Sequence, residues 1–257
     1  MTEPVHENTP PPWSKRSALI VGMGGLGCPV ALALARAGVG QLILVDDDVV
    51  DVSNLHRQVL FTASDVGKHK LDAARERLLL EGANDVRVER TRMLPDNARA
   101  LVKIADVVVE GADNFATKFL AADACFLERV PVVHGAAVRF HGTALSVSAS
   151  GAPCYRCLFE DVLADANAPN CAEAGVFGPM VGIVGCLMAD LALDALSQDS
   201  SRNGVVHSFD AKLDRVRTFR LRPRPQCSLC GETPSVFDTR EARYLAPSCA
   251  ASLQPHV

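Results

Sequence analysis

Ala18-Leu19-Ile20-Val21-Gly22-Met23-Gly24-Gly25-Leu26-Gly27 is an apolar run that empties into glycines. Residues 26–37 then carry apolar side chains at helical spacing, so the glycines occupy a turn between a strand and a helix. Glycine admits positive φ and lets a ligand approach the main chain closely, and the free N–H groups at a helix start attract phosphate. The stretch reads as a nucleotide cradle.

The next apolar run, Leu42-Ile43-Leu44-Val45, ends at Asp46, where a Rossmann-type fold holds ribose hydroxyls. Further units follow. Residues 68–81 are helical by the spacing of Leu71, Ala74 and Leu78, and residues 86–89 alternate as a strand. Residues 97–104 form a short helix, residues 106–110 a buried strand, residues 115–128 a helix and residues 130–134 a strand. After that, residues 143–148, 205–210 and 215–222 alternate as half-exposed, antiparallel strands. The fold class is α/β: a Rossmann-like, mostly parallel sheet with helices on both faces, extended by antiparallel strands. In such a sheet ligands collect beyond the carboxyl ends of the strands, which puts Asp46 and Asp113 on the rim that carries the glycine loop.

The chain has 257 residues, 48% apolar and 22% charged, enough for one large core with a small appendage. A net charge of -4 gives no general reason to bind nucleic acid or an anionic membrane. Residues 1–12 lack the apolar core of a secretory signal, so a cytoplasmic protein is expected. The apolar region 176–189 is broken by Gly178, Pro179, Gly182 and Gly185 and reads as a buried helix rather than a membrane span. Residues 1–13 read as a flexible arm tacked down by Trp13, and residues 233–257 as a disordered tail.

Nine cysteines in such a protein point to metal or redox chemistry before disulfides. Cys154-Tyr-Arg-Cys157 and Cys227-Ser-Leu-Cys230 are two Cys-x-x-Cys pairs about seventy residues apart. Together they supply the four thiolates of a closed, structural zinc site, worth on the order of 10 kcal/mol in fixing the carboxyl-terminal segment. The thioredoxin-like alternative needs a βαβ setting that neither pair has. Cys28, Cys125 and Cys186 read as small packing residues.

Cations gather downstream of Asp46, in Ser53-Asn54-Leu55-His56-Arg57-Gln58 and in Gly67-Lys68-His69-Lys70. Hydride transfer has no use for this charge, whereas cleavage of a triphosphate does, because Arg and Lys neutralise a departing pyrophosphate. Lys68 fits a solvated helix face. Asp113, next to Asn114 at a strand end, suits a Mg²⁺ ligand or a helix N-cap.

Taken together, these motifs resemble the MoeB/ThiF/HesA adenylyltransferases that activate ubiquitin-like sulfur carriers. The resemblance runs over residues 17–232, through the glycine loop, Asp46-x-Asp48, the Ser53 to Gln58 stretch, Asp65-x-Gly-x-x-Lys70, Asp113-Asn114, both cysteine pairs and Asn170-Cys171-Ala-Glu-Ala-Gly-Val-Phe-Gly-Pro179. It implies an adenylation domain over residues 14–232 that uses ATP and Mg²⁺ to adenylate a carrier's terminal glycine carboxylate, releasing pyrophosphate. The implied nucleotide-binding set is Gly22, Gly24, Gly25, Gly27, Asp46, Asp48, Ser53, Asn54, Leu55, His56, Arg57, Gln58, Lys70, Asp113 and Asn114. Within it Gly25 contacts the nucleotide through its backbone, Asp46 holds ribose, Asn54, Arg57 and Lys70 hold phosphates, and Asp113 holds Mg²⁺. Cys171 matches a cysteine that in some relatives is acylated by the activated carrier. A homodimer and a separate sulfur donor are also implied.

The sequence departs from the family pattern in places. Residues 1–13 contain no arginine where relatives carry an arginine finger for the partner's site, and Lys118 and Ala122 replace the usual arginine and asparagine. Three alternatives follow: adenylation of a ribosomal peptide or tRNA base, a nicotinamide-dependent oxidoreductase, or an inactive carrier-binding module. The basic run Arg215-Val-Arg217-Thr-Phe-Arg220-Leu-Arg222 suits an acidic carrier or a solvated sheet face.

Overall fold

In the computed structural model of the chain, which describes residues 10–160, 175–240, 243 and 244, one eight-stranded sheet carries every helix. Its order is β3-β2-β1-β4-β5-β6-β7-β8. Strands β1 (Ser17–Val21), β2 (Gln41–Val45), β3 (Val86–Glu89), β4 (Val107–Glu110) and β5 (Val132–Val138) run parallel. β6 (His141–Val147), β7 (Val205–Asp210) and β8 (Arg215–Arg220) extend it antiparallel from β5.

The central strands are continuous apolar runs because both faces are covered. On one face Ile20, Leu44 and Val109 pack under α1 (Gly27–Arg36), α2 (Lys70–Leu80) and α6 (Gly178–Leu196). On the other Leu19, Ile43 and Val108 pack under α3 (Ala98–Val102) and α4 (Phe115–Glu128). Each fully buried Leu, Ile or Val contributes about 1.5–3 kcal/mol, so strand register is strongly specified. Helix α6 is 19 residues long and apolar enough to cross a membrane by composition, but half of that stretch is buried, against α1, β4, β5 and β6. It is a core helix.

Several boundaries differ from the sequence expectation. β5 continues past His134 to Val138, because Gly135, Ala136 and Ala137 pair with Ala144, Thr143 and Gly142 of β6; small side chains hid this strand. The first Cys-x-x-Cys pair starts a short helix, α5 (Tyr155–Leu158). α2 starts at Lys70 rather than Lys68, whose ammonium pairs with Asp65. Trp13 ties the arm down, its Nε1–H donating to the Ala37 carbonyl at 2.7 Å.

The segment expected to be a disordered tail is anchored at several of its described residues. Val236 is buried among the four cysteines, Thr239 donates its hydroxyl to the Pro95 carbonyl at 2.8 Å, and Tyr244 is buried. The anchor is electrostatic. Arg156, 1% exposed, makes a bidentate pair with Asp123 of α4 at 2.8 Å for both contacts, lies over the Phe119 ring, and Tyr244 donates its hydroxyl to the same carboxylate at 2.7 Å.

Asp123 is wholly buried, pairs with Arg156 through both oxygens and accepts from Tyr244, and breaking such a buried pair costs about 3 kcal/mol. Asp123→Asn should lower the unfolding free energy by about that amount in a urea titration. A loss below about 1 kcal/mol, the range of a surface pair, would contradict a structural role for the Arg156 clamp.

Candidate active site

The glycine loop is shaped by one contact. Gly22 has φ +86° and donates its N–H to the Val45 carbonyl at 2.8 Å, which turns the chain out of β1. Gly27 then passes so close beneath it that a Cβ on Gly27 would lie 1.9 Å from the Gly22 oxygen. No larger residue fits there. Helix α1 therefore starts directly at the end of β1, with no side chain capping its first N–H groups. Those groups and the helix dipole make the loop a site for anions.

Asp46, at the end of β2, braces the loop. One carboxylate oxygen accepts the Met23 N–H at 2.6 Å and the other the Asp48 N–H at 2.8 Å. Ionised carboxylates accept more bonds than these, so capacity remains for ligand hydroxyls. Lys70, the first residue of α2 and 5% exposed, places its ammonium 2.8 Å from Asp48 and 3.9 Å from Asp46. Arg57 is held by Asn54, whose Oδ1 accepts from Nη2 at 2.5 Å, and by the Ser53 carbonyl at 3.2 Å. Gln58 is buried with its Oε1 lacking a partner among the described residues.

The opposite wall comes from the end of β4. Glu110 is wholly buried and binds three segments at once: Lys118 of α4 at 3.0 and 3.2 Å, His134 Nδ1 of β5 at 3.2 Å, and the Ala112 N–H at 2.6 Å. Lys118 also donates to the Gly135 carbonyl at 2.5 Å. Burial alone would raise the Glu110 pKa, but Lys118 and His134 outweigh it and hold the carboxyl below its usual range. Burial pushes His134 down, keeping it neutral, with its ring 4.4 Å from that of Tyr155 in α5. The next residues out are Gly111, Ala112 and Asp113. Asn114 takes the N-cap of α4, its Oδ1 accepting from the Thr117 N–H at 2.8 Å. Asp113 is thus spared capping duty; it is exposed and makes no side-chain hydrogen bond or ion pair among the described residues.

These walls enclose a cleft of about 300 Å³. Of the residues predicted from sequence, Gly22, Gly24, Gly25, Asp46, Asp48, Asn54, Arg57, Gln58, Lys70 and Asp113 line it. Gly27, Ser53, Leu55, His56 and Asn114 do not. Gly27 works under the turn, Ser53 and His56 are exposed, and Asn114 caps α4. The His56 carbonyl would lie 2.8 Å from a Cβ on Gly178, so this loop packs on the start of α6 through backbone alone. Leu26, Gly111, Ala112, Ala136, Ala137, Val176 and Val181 complete the lining and were missed. Apart from Gly111-Ala112 beside Asp113, they are small or aliphatic and carry no local signal of a ligand. Cys171 lies outside the described residues.

Arg16 pairs with Asp106 at 3.0 Å, at the opposite end of the strands from the cleft. Cys28 is buried and its thiol is pushed up to about 12, which removes it as a nucleophile. Cys125 is likewise buried, with its thiol pushed up by desolvation. Cys186, expected to be packed, is exposed on α6.

The four remaining cysteines among the described residues converge. Cys154–Cys227 is 3.5 Å between sulfurs, Cys157–Cys230 3.3 Å and Cys154–Cys157 3.9 Å, all four within 4.8 Å. Sulfurs 2.3 Å from a central zinc in a tetrahedron stand about 3.8 Å apart, so the quartet fits such an ion. Hydrogen bonds from Cys154 and the other thiols draw Cys230 down to about 5, while the bond to Cys230 pushes Cys154 up and burial pushes Cys157 up.

Residues 4–229 match the family model described as the ThiF family. The chain is 41% identical over 239 residues to the SAMP-activating enzyme E1 of Haloferax volcanii, spanning 91% of this chain and 87% of that protein. It is 39% identical over 225 residues to the adenylyltransferase and sulfurtransferase MOCS3 of Anopheles gambiae, spanning 86% of this chain and 51% of that protein. It therefore spans about half the length of the MOCS3 relatives. The fold superposes on E. coli MccB bound to succinimide with TM-score 0.76 at 22% identity, covering 86% of this chain and 67% of that one.

Glu110 also yields a pH signature. Its pKa in the folded state lies below that in the unfolded chain, so its stabilisation is present at neutral pH and lost as pH falls through the folded value. Glu110→Gln should lower the unfolding free energy at pH 7 by about 3 kcal/mol, and its deficit relative to the wild type should shrink on acidification through the carboxylate range. A pH-independent deficit would contradict the assigned charge.

Proposed function

The chain belongs to the ThiF family, whose members include the adenylyltransferase and E1-type activating enzymes it resembles, and from that premise we propose that it adenylates the terminal glycine carboxylate of a small ubiquitin-like sulfur carrier. The observation that carries this reading is the convergence of Arg57, Lys70, Asp46 and Asp113, from four separate segments, on one cleft beside the glycine loop.

The chemistry follows from these groups. The carrier's carboxylate is already ionised, so no general base is required. Its oxygen forms a bond to the α-phosphorus of ATP, the bond from that phosphorus to the bridging oxygen breaks, and pyrophosphate leaves with the electron pair. Negative charge builds on the leaving group, and Arg57 and Lys70 neutralise it in a partly dewatered site, where such stabilisation counts most. Asp46 fixes the ribose and the loop amides fix the phosphates, so the barrier is lowered by positioning and charge compensation. Asp113, whose carboxylate is free of other partners among the described residues, would hold a Mg²⁺ ion, which would supply further charge neutralisation on the triphosphate.

We place zinc at Cys154, Cys157, Cys227 and Cys230 as a structural ion, and assign the protein to the cytoplasm as a homodimer served by a separate sulfur donor. Support for a homodimer comes from Ile183, 48% exposed, and Cys186 on the open side of α6. The acceptor role of Cys171 stays part of the proposal. A nicotinamide enzyme would account for the glycine loop and Asp46 but not for Arg57 and Lys70 in the cleft.

Asp113→Ala and Arg57→Ala should each slow adenylate formation in single turnover at least about tenfold, the effect of losing roughly 1.4 kcal/mol of transition-state stabilisation, while leaving the thermal midpoint unchanged. Undiminished rates in both variants would remove the proposed site. Metal analysis of the purified protein should give one zinc per chain, and chelation should lower the thermal midpoint; a metal-free protein of unchanged stability would refute the zinc assignment.

A further inference from the structure

We propose that Arg92 is a positioning residue for the nucleotide: it compensates the aspartate turn that carries Asp46, and Thr239 of the carboxyl-terminal segment holds its loop in place. The inference rests on the reading of the cleft as an ATP site and adds a residue outside the lining that governs nucleotide affinity.

β3 is an edge strand of the sheet, and its Glu89 pairs in parallel with Val45 of β2. The residues that follow the two strands, Asp46-Asp47-Asp48 and Arg90-Thr91-Arg92, therefore leave the sheet side by side on the rim that carries the cleft. The three aspartates offer oxygens within 4.8 Å of one another, and Asp46 and Asp48 line the cleft. Negative charge is thus concentrated where a triphosphate, of the same sign, has to enter. Uncompensated, the turn repels both itself and the ligand.

Two cations offset it from opposite sides. Lys70, within the cleft, lies 2.8 Å from Asp48 and 3.9 Å from Asp46. Arg92 comes from outside: its Nε lies 2.9 and 2.8 Å from the two Asp47 oxygens and its Nη2 3.8 Å from Asp48. Because Arg92 is not among the residues that line the cleft, it reaches the nucleotide only through the turn. That turn is closely geared. Each Asp46 oxygen accepts one backbone N–H, from Met23 and from Asp48, so a displacement of Asp47 and Asp48 moves the ribose acceptor with them.

The loop that presents Arg92 has its own closure. Asn97 accepts the Leu94 N–H at 2.8 Å and donates to the Arg92 carbonyl at 2.8 Å and the Thr91 hydroxyl at 3.2 Å. Met93 is buried in the core with Leu101 and Phe119. From outside, Thr239 clips the loop by donating its hydroxyl to the Pro95 carbonyl at 2.8 Å. Thr239 is fixed from both directions along the chain. Before it, Ser235 and Val236 donate their N–H groups to the Ser228 carbonyl, inside the second cysteine pair, at 2.8 and 3.0 Å; after it, Tyr244 bonds Asp123. The carboxyl-terminal segment is a strap from the cysteine cluster to α4, and it crosses the loop that carries Arg92.

The test measures binding of ATP with Mg²⁺ by titration calorimetry without any carrier, and adenylation kinetics with one. Arg92→Gln should weaken ATP binding about fivefold, the upper range for an exposed ion pair, and raise the KM for ATP in the same ratio. The kcat and the carrier KM should not change, and neither should the thermal midpoint, because the Arg92 side chain is 67% exposed. A merely structural residue would lower the midpoint and leave the ATP constants alone. Arg92→Lys keeps the charge and should recover most of the affinity. Asp47→Asn added to Arg92→Gln should recover it as well, because it removes the charge that Arg92 compensates. Thr239→Val should weaken ATP binding about twofold in the wild type, the effect of one lost hydrogen bond felt indirectly, and not at all on top of Arg92→Gln, since both act through one contact. Unchanged ATP binding in Arg92→Gln, or a loss that Asp47→Asn fails to recover, would overturn the positioning role, and Thr239→Val without effect would overturn the strap. A wild type that binds no ATP would instead sink the reading of the cleft as a nucleotide site.

Discussion

The approach of Gly27 to the Gly22 carbonyl is the constraint on which the rest depends. At 1.9 Å for a hypothetical Cβ, it admits hydrogen only, and it forces α1 to begin where β1 ends. Two consequences follow. The uncapped N–H groups of α1 face the cleft end of the sheet, and Asp46, at the same level on the neighbouring strand, reaches the loop through the Met23 N–H. Lys70 then has a carboxylate pair to settle on, and Arg57 packs its stem near Gly25, where a Cβ would lie 3.5 Å from Cγ. The positive groups are therefore placed by the backbone turn rather than by one another.

Buried charge performs the second structural task. Glu110 ties β4, α4 and β5 behind Asp113, while Arg156 ties α5 to Asp123 farther along α4. Tyr155 and Arg156 are the two residues between the cysteines of the first Cys-x-x-Cys pair, and they contact His134 and Asp123 respectively. The four-cysteine cluster is thus coupled through side-chain packing to both ends of the helix that follows Asp113. Such pairs cost desolvation and stabilise only when fully satisfied; their value is in fixing one geometry for the loop that carries Asp113, which has no side-chain partner among the described residues.

The parallel core was readable because its signals are local: a glycine turn between apolar periods, and strands whose apolar runs need cover on both faces. Ten of the expected cleft residues lie in the cleft because family motifs preserve what a phosphate site requires of its backbone and charge. What escaped was set by tertiary contact. Ala136 and Ala137 have no strand propensity to speak of and become strand by pairing with β6. Lys118 looked like a weakened site residue and is instead the buried partner of Glu110. Residues beyond Glu232 have the composition of a tail, yet Val236 and Tyr244 find buried partners that no local pattern announces.

The most direct measurement is ATP–pyrophosphate exchange by the purified, zinc-loaded protein, with and without small ubiquitin-like proteins ending in Gly-Gly. The account predicts exchange that appears only with a carrier and disappears when its terminal glycines are removed. Exchange that ignores the carrier, or none with any carrier from a folded protein, would contradict the claim that this cleft activates a carrier's carboxylate.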